Sequence, residues 1–339
     1  MNLENRHSSN VLLLDKREKE EEFVAGLEKA TGEPWLVKSY VSNEGQTRLD
    51  NILRYVKYFY YPFLIFLNRK KYTRIVAWQQ FYGLLLAFYC RLFRVKKSFS
   101  LIVMTFIYKP KAGIAGRIYA QFMQYAVNSC YIDKIIVHSG REKSDYAGLF
   151  PEVSSRFVFV PLGIDKIVLP ENNPELKDEN YLLATGRSNR DYNFLVEALK
   201  NTPFRLKIIS NTYSHSSLPP NIELYDRIFE PEMYDYMNHC YAVIVPLKQP
   251  GISSGQLVVL QAMQLGKPVI VTKSEALSDY VINGQNGLIV EKEKKVLLNA
   301  IQQLYNDRKL YDTLVENGKF LYNKKHTTGQ LAIHVANYL

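Results

Sequence analysis

The chain has 339 residues, enough for two domains each with its own core, and 47% hydrophobic with 22% charged residues argues against disorder. Cys90, Cys130 and Cys240 are far apart, odd in number and without Cys-x-x-Cys spacing, which argues against a disulfide framework or a zinc site and fits a reducing compartment. A net charge of +10, from 43 Lys and Arg against 33 Asp and Glu, calls for an anionic partner, and where those charges fall says which.

The N-terminus, Met1-Asn2-Leu3-Glu4-Asn5-Arg6-His7, lacks the basic, apolar, small-residue order of a secretion signal, so a cytoplasmic location is expected. Short apolar runs then predict strands at Val11–Leu14, Ile75–Trp78, Leu101–Thr105, Lys134–His138 and Phe157–Val160, with helical stretches between them. From Asp50 to Asp133 there is no carboxylate, yet the stretch holds Arg54, Lys57, Arg69, Lys70, Lys71, Arg74, Arg91, Arg94, Lys96, Lys97, Lys109, Lys111 and Arg117. Interleaved are Tyr55, Tyr58, Phe59, Tyr60, Tyr61, Phe63, Phe66, Trp78, Phe81, Tyr82, Phe88 and Tyr89, a mix suited to anionic headgroups with aromatics at the interface. The longest uncharged run of this stretch, Ile75 to Cys90, has 16 residues and includes Gln79, Gln80 and Gly83, short of the roughly 20 a spanning helix needs. The 51–117 stretch is therefore expected to rest on an anionic membrane surface, the inner face of the plasma membrane, without crossing it. Nucleic acid is not expected, since no helix-turn-helix, RNP-like or zinc-finger pattern accompanies the charge. The competing reading makes the aromatics core and the bases a solvated face.

After Val160-Pro161-Leu162-Gly163-Ile164-Asp165 comes the polar Pro170-Glu171-Asn172-Asn173-Pro174, read as part of a linker over 166–180. Strands then restart at Tyr181–Ala184, Leu206–Ile209, Ile222–Leu224, Ala242–Val245, Val269–Val271 and Leu288–Val290. The alternation predicts an α/β protein of two doubly wound domains: 1–165, then 181–322, with a C-terminal helix over 323–339 that could return to the first. In such sheets the ligand lies beyond the carboxyl ends of the strands, here in a cleft between two facing domains. The turn Gly251-Ile252-Ser253-Ser254-Gly255-Gln256 opens an apolar helix, and its unpaired N–H groups and dipole suit a diphosphate.

Thr185-Gly186-Arg187-Ser188-Asn189-Arg190-Asp191-Tyr192, the Pro246 to Gly255 turn, Leu260 to Val271 and the Asp279 to Leu288 ending together resemble the C-terminal half of GT-B glycosyltransferases. The likeness is to the large bacterial group 1, family 4 type of surface-polysaccharide enzymes, mostly retaining. It covers about 181 to 291 well, and the first half only through strand order and the Val160–Asp165 junction. It implies two Rossmann-like domains and a nucleotide-sugar donor in the second, held without metal or cofactor. Arg187, at the family's Gly-Arg turn, is then the first diphosphate cation, with Arg190 or Lys248 the second. Gly186, Ser253, Ser254, Gly255 and Gln256 line the donor site, the last three giving the helix-start amides. Arg227 and Ile228 lie where the family contacts the base; nothing there tells uracil from guanine, and a UDP-sugar is the expected donor. Gln261 occupies the position of the Glu that binds the ribose hydroxyls, and its amide can still serve. Ser253 replaces a further Glu that meets the donor sugar, which leaves the sugar open.

An inverting reaction wants a general base, for which Asp15, Glu44 and His138 are candidates. A retaining reaction, in which the departing phosphate takes the acceptor proton, needs none and suits the carboxylate-poor first half better. Many relatives carry a His after the strand ending Met104-Thr105-Phe106, absent here. The acceptor, a saccharide or lipid-linked saccharide, is expected at Trp78-Gln79-Gln80 and at Lys109 and Lys111. Catalytic expectation thus rests on Arg187, Lys248 and His138. The alternative is a catalytically silent GT-B protein acting as an activating or acceptor-binding subunit, favoured by Ser253, Gln261 and Thr105. A retained diphosphate turn favours the enzyme.

Overall fold

A computed structural model describes residues 8–15, 20–40, 48–169 and 180–339, with the backbone alone for 48–55. The chain divides into two compact units, Met1–Pro161 with Thr328–Leu339, and Leu162–Thr327.

In the first unit six parallel strands, β1 (Asn10–Leu14), β2 (Trp35–Ser39), β3 (Arg74–Ala77), β4 (Ser100–Val103), β5 (Lys134–Val137) and β6 (Phe157–Phe159), lie in the order β2-β1-β3-β4-β5-β6. Five match the expected runs, and β2 is the one not foreseen. As an edge strand paired only with β1, it buries Trp35 and Val37 and leaves Leu36 and Lys38 half-exposed, so it lacks the continuous apolar run of an inner strand. Crossovers are made by α1 (Glu21–Thr31), α2 (Arg48–Leu67), α3 (Gln80–Leu92), α4 (Gly113–Val127) and α5 (Gly140–Leu149).

The basic aromatic stretch divides in the fold. Tyr82 and Phe66 are buried, and Tyr58, Tyr61, Phe63, Phe81 and Tyr89 pack partly buried against the same core, so much of the aromatic enrichment is interior. Side chains left outside include Val56, Phe59, Tyr60 and Leu67 of α2, Leu92 and Phe93 at the end of α3, and Ile114 and Ile118 of α4. Phe66 stacks on Phe93 at 5.2 Å, joining the ends of α2 and α3, and Arg69 lies over the Phe66 ring. Among the described residues no helix is long and apolar enough to cross a membrane.

The second unit holds β7 (Tyr181–Thr185), β8 (Arg205–Ile209), β9 (Ile222–Tyr225), β10 (Ala242–Val245), β11 (Val269–Thr272) and β12 (Leu288–Val290), again all parallel, in the order β12-β11-β10-β7-β8-β9. From β7 the chain winds outward through β8 and β9, then returns to place β10 on the other side of β7. The carboxyl ends of β7 and β10 therefore flank the point where winding reverses, the ligand position of a doubly wound sheet. One face is covered by α7 (Glu232–His239) and α8 (Gln256–Gln264), the other by α6 (Tyr192–Leu199), α9 (Lys294–Asn306) and α10 (Arg308–Lys325).

The region read as one C-terminal helix over 323–339 holds the end of α10, a break at His326–Thr327, and α11 (Thr328–Ala336). His326 is buried, bonding the Leu162 carbonyl through Nδ1 at 2.8 Å. Helix α11 packs on α1 in the first unit, with Leu331, Ala332 and Val335 joining Phe23, Val24 and Leu27 in one core.

Candidate active site

The site in the second unit is built from the loops after β7, β9 and β10. Gly186 leaves β7 with φ +119, a conformation that disfavours any Cβ, and an added Cβ would lie 2.6 Å from the Arg190 guanidinium. That guanidinium is turned back into its own loop: Nε donates to the Thr185 carbonyl at 3.0 Å and Nη1 to the Ser188 carbonyl at 2.8 Å. Burial depresses its pKa. Tyr192 closes the turn from the other side, donating to the Gly186 carbonyl at 2.5 Å. Arg190, a candidate for the second diphosphate cation, thus commits two of its five N–H donors to the turn.

Arg187 is exposed, its guanidinium 6.0 Å from the centre of the Phe229 ring. The loops after β7 and β10 are clipped together by Asn189, which sits in the left-handed region at φ 57. Its Nδ2 donates to the Gln249 carbonyl (2.8 Å) and to Ser254 Oγ (3.1 Å), while its Oδ1 accepts from Gln249 N–H (2.9 Å). Asp191 caps α6 by accepting from Phe194 N–H at 3.1 Å. The same carboxylate pairs with Lys292, whose ammonium also donates to the Lys248 carbonyl at 3.0 Å. Lys248 itself is exposed.

The β10 loop ends at Gly255, the N-cap of α8, with φ +96 and an added Cβ meeting Val245 at 3.0 Å. Glycine is required there, and having no side chain it leaves the first N–H groups of α8 without a side-chain cap. Ser254 is buried and held by Asn189, and Ser253 Oγ accepts from Gln256 Nε2 at 2.5 Å. Gln261 is buried on the second turn of α8, its Nε2 donating to Glu230 Oε1 (3.3 Å) and to the Tyr234 hydroxyl (3.2 Å). Between β9 and α7, Arg227 is exposed and Ile228 packs partly buried on the core. Gly186, Arg187, Arg190, Lys248 and the 253–256 turn thus gather at the carboxyl ends of β7 and β10. Asn189, Glu230 and Tyr234 were not foreseen as site residues. A left-handed Asn in a Gly-x-x-Asn turn is a legible signal, whereas the meeting of Glu230 with a glutamine 31 residues away is not.

In the first unit the remaining candidates lie after β3, β4 and β5. Trp78 packs edge-on to Phe23 at 4.9 Å. Gln79 caps α3 by accepting from Phe81 N–H, and Gln80 Oε1 accepts from Ile107 N–H at 2.9 Å, so both acceptor-binding candidates also hold their loops. Lys109 is exposed, and Lys111 lies over the Tyr119 ring at 4.9 Å. His138 Nδ1 meets the Val160 carbonyl at 3.0 Å and Nε2 meets Thr105 Oγ1 at 3.5 Å, and burial lowers its pKa. Asp15 ends the loop side of β1, and Glu44 lies outside the described residues.

Residues 179–307 match the family described as Glycosyl transferases group 1. That segment carries the likeness to a group 1 glycosyltransferase domain. An uncharacterized glycosyltransferase of Methanocaldococcus jannaschii is 30% identical over 220 residues, 62% of this chain and 58% of the relative. The capsular polysaccharide biosynthesis glycosyltransferase CapM of Staphylococcus aureus is 24% identical over 213 residues, 57% of this chain and 55% of the relative. These matches span less than two thirds of the length of either relative. Among solved structures, Anabaena HepE in complex with UDP and glucose aligns at TM-score 0.65 and 15% identity, covering 98% of this chain and 99% of that one. Sucrose-phosphate synthase from Thermosynechococcus elongatus aligns at TM-score 0.69 and 16% identity, covering 97% and 98%. The fold is GT-B, two Rossmann-like domains, and the loops after β7, β9 and β10 lie within the segment that matches the group 1 glycosyltransferases.

Proposed function

We propose that the protein is a glycosyltransferase that moves a sugar from a nucleotide-diphosphate sugar, expected to be a UDP-sugar, to a saccharide acceptor in polysaccharide or glycoconjugate synthesis. The observation that carries this reading is the joining of two loops: Asn189 ties the β7 and β10 loops together, Gly255 leaves the start of α8 uncapped, and Arg187 stands exposed on the β7 loop. The donor is supported by HepE, which was solved with UDP and glucose, and the pathway by the name of CapM. In the retaining course proposed, the bond from the sugar's anomeric carbon to the diphosphate breaks and the bond to the acceptor oxygen forms. The acceptor proton passes to the departing phosphate, whose growing charge is met by the α8 N–H groups and Arg187. With those groups supplying the neutralisation, no metal or cofactor is assigned a step, and chelation is expected to leave the rate unchanged.

The acceptor is proposed to be lipid-linked, with the first unit resting on an anionic membrane surface, the cytoplasmic face of the plasma membrane. Exposed Leu67, Leu92 and Phe93 beside Arg69, Lys70, Lys71 and Arg94 support this reading. The test is nucleotide release and sugar transfer from a panel of UDP-, GDP- and other nucleotide-sugars over membrane extract. Release dependent on extract supports the enzyme. Nucleotide binding without release from any donor would leave the silent subunit in its place.

A further inference from the structure

We propose that Glu230 recognises the ribose diol of the donor nucleotide, an inference that rests on the nucleotide-binding reading above. Glu230 stands at the corner between β9 and α7, exposed, next to the Phe229 ring over which Arg187 lies. Its carboxylate accepts from Gln261 Nε2 at 3.3 Å and bonds the Tyr234 hydroxyl one helical turn on, a bond that, after burial, raises the tyrosine's pKa. Gln261 reaches it from α8, six residues beyond Gly255, or about 9 Å along the helix from the uncapped N–H groups.

The chemistry left over in this trio defines its ligand. Both N–H bonds of the Gln261 amide are taken, one by Glu230 and one by Tyr234, and the Tyr234 hydroxyl is taken in turn. What remains is acceptor capacity: the other lone pairs of the Glu230 carboxylate and the Gln261 carbonyl. A ligand group that satisfies it must bring hydrogen-bond donors, and a vicinal diol brings two. A nucleoside diphosphate with its phosphates above the start of α8 carries such a diol within a few bonds of them. Glu230 therefore supplies, from another loop, the negative charge that the neutral Gln261 cannot, with Gln261 and Tyr234 as the side chains that position it.

The test is titration of the full-length protein with UDP and GDP, each beside its 2′-deoxy and 3′-deoxy forms. These ligands carry no donor sugar, so any preference for the ribo form reports the ribose alone. The parent is expected to bind the better ribonucleotide roughly tenfold to a hundredfold tighter than its deoxy forms, as a charge-assisted hydrogen bond allows. Glu230→Gln should lose most of that ratio by weakening the ribo form while leaving the deoxy forms nearly unchanged, and Tyr234→Phe should lose part of it. Because Glu230 is exposed, its variant should melt with the parent. If UDP or GDP binds the parent and the ratio survives in Glu230→Gln, the assignment is overturned while the nucleotide site stands. If no nucleoside diphosphate binds the parent, both fall.

Discussion

Replacing Asn189 by Ala tests whether the anion site is prepared before ligand arrives. The side chain makes three hydrogen bonds that join the β7 and β10 loops, at 2.8, 2.9 and 3.1 Å. At about 1 kcal/mol net each they amount to roughly 3 kcal/mol, reduced because water can replace the two at exposed positions. Alanine at φ 57 adds about 1 kcal/mol of backbone strain that Asn tolerates better. The loss falls on the clip that holds the β7 loop, which carries Arg187, against the β10 loop that leads to the start of α8, so roughly 2–3 kcal/mol should appear as a thirtyfold to hundredfold weaker nucleotide Kd. Asn189→Gly separates the two contributions, since it keeps the backbone conformation and loses the same bonds, and should recover about 1 kcal/mol. Titration calorimetry with UDP, together with thermal melting of each variant, reads both. An Asn189→Ala protein that binds UDP as tightly as the parent would refute preorganisation by this clip.

The two arginines of the β7 loop should part company: exposed Arg187→Ala is expected to raise the nucleotide Kd about tenfold with the melting temperature unchanged. Arg190→Ala, which strips donors from the Thr185 and Ser188 carbonyls, should cost about 2 kcal/mol of stability, measured by denaturant unfolding. Burial holds His138 below its ordinary value of 6.5, so on acidification through that value the unfolded chain takes up a proton that the folded chain resists. Stability therefore rises with pH across this window and falls below it, and His138→Gln should flatten the melting-temperature profile there; an unchanged slope refutes the assignment. Co-sedimentation with anionic vesicles should fall with salt. Charge removal at Arg69, Lys70 and Lys71 together should weaken it about a hundredfold, at roughly 1 kcal/mol per base near the surface.

The strands of both sheets, all but one, were open to reading because parallel strands are buried on both faces and so write themselves as unbroken apolar runs; β1, for instance, is buried throughout. Trp35–Ser39 escaped because an edge strand needs only alternate apolar positions. The turns proposed to hold the diphosphate were legible through Gly186 and Gly255, whose left-handed backbone and close neighbours leave no other residue type unstrained. The role of Arg190 was not. From sequence it is one of two exposed-looking cations on a loop, and only the carbonyls of Thr185 and Ser188, brought round by the turn itself, draw it inward. Glu230 was equally hidden, since its partner Gln261 lies on another helix. The aromatic stretch divides for a related reason: Tyr82 and Phe66 have the composition of an interface and the position of a core, while Phe59, Tyr60 and Phe93 stay exposed.

The opposite fates of Arg187 and Arg190 follow from one constraint. The proposed anion site must hold its cations apart and its loops in place without spending the charges meant for the ligand. Arg190 and Tyr192 fix the β7 turn through backbone carbonyls, Asn189 fixes the β10 loop through neutral hydrogen bonds, and Lys292 anchors the same corner while neutralising the α6 cap Asp191. The positive charge committed to structure is thus either buried or paired, which leaves Arg187 and Lys248 exposed at the rim and the α8 amides uncapped. A site so arranged pays little reorganisation when phosphates arrive. For the same reason substitutions at Arg190 or Asn189 should weaken binding without touching the ligand, whereas Arg187 should act on it directly.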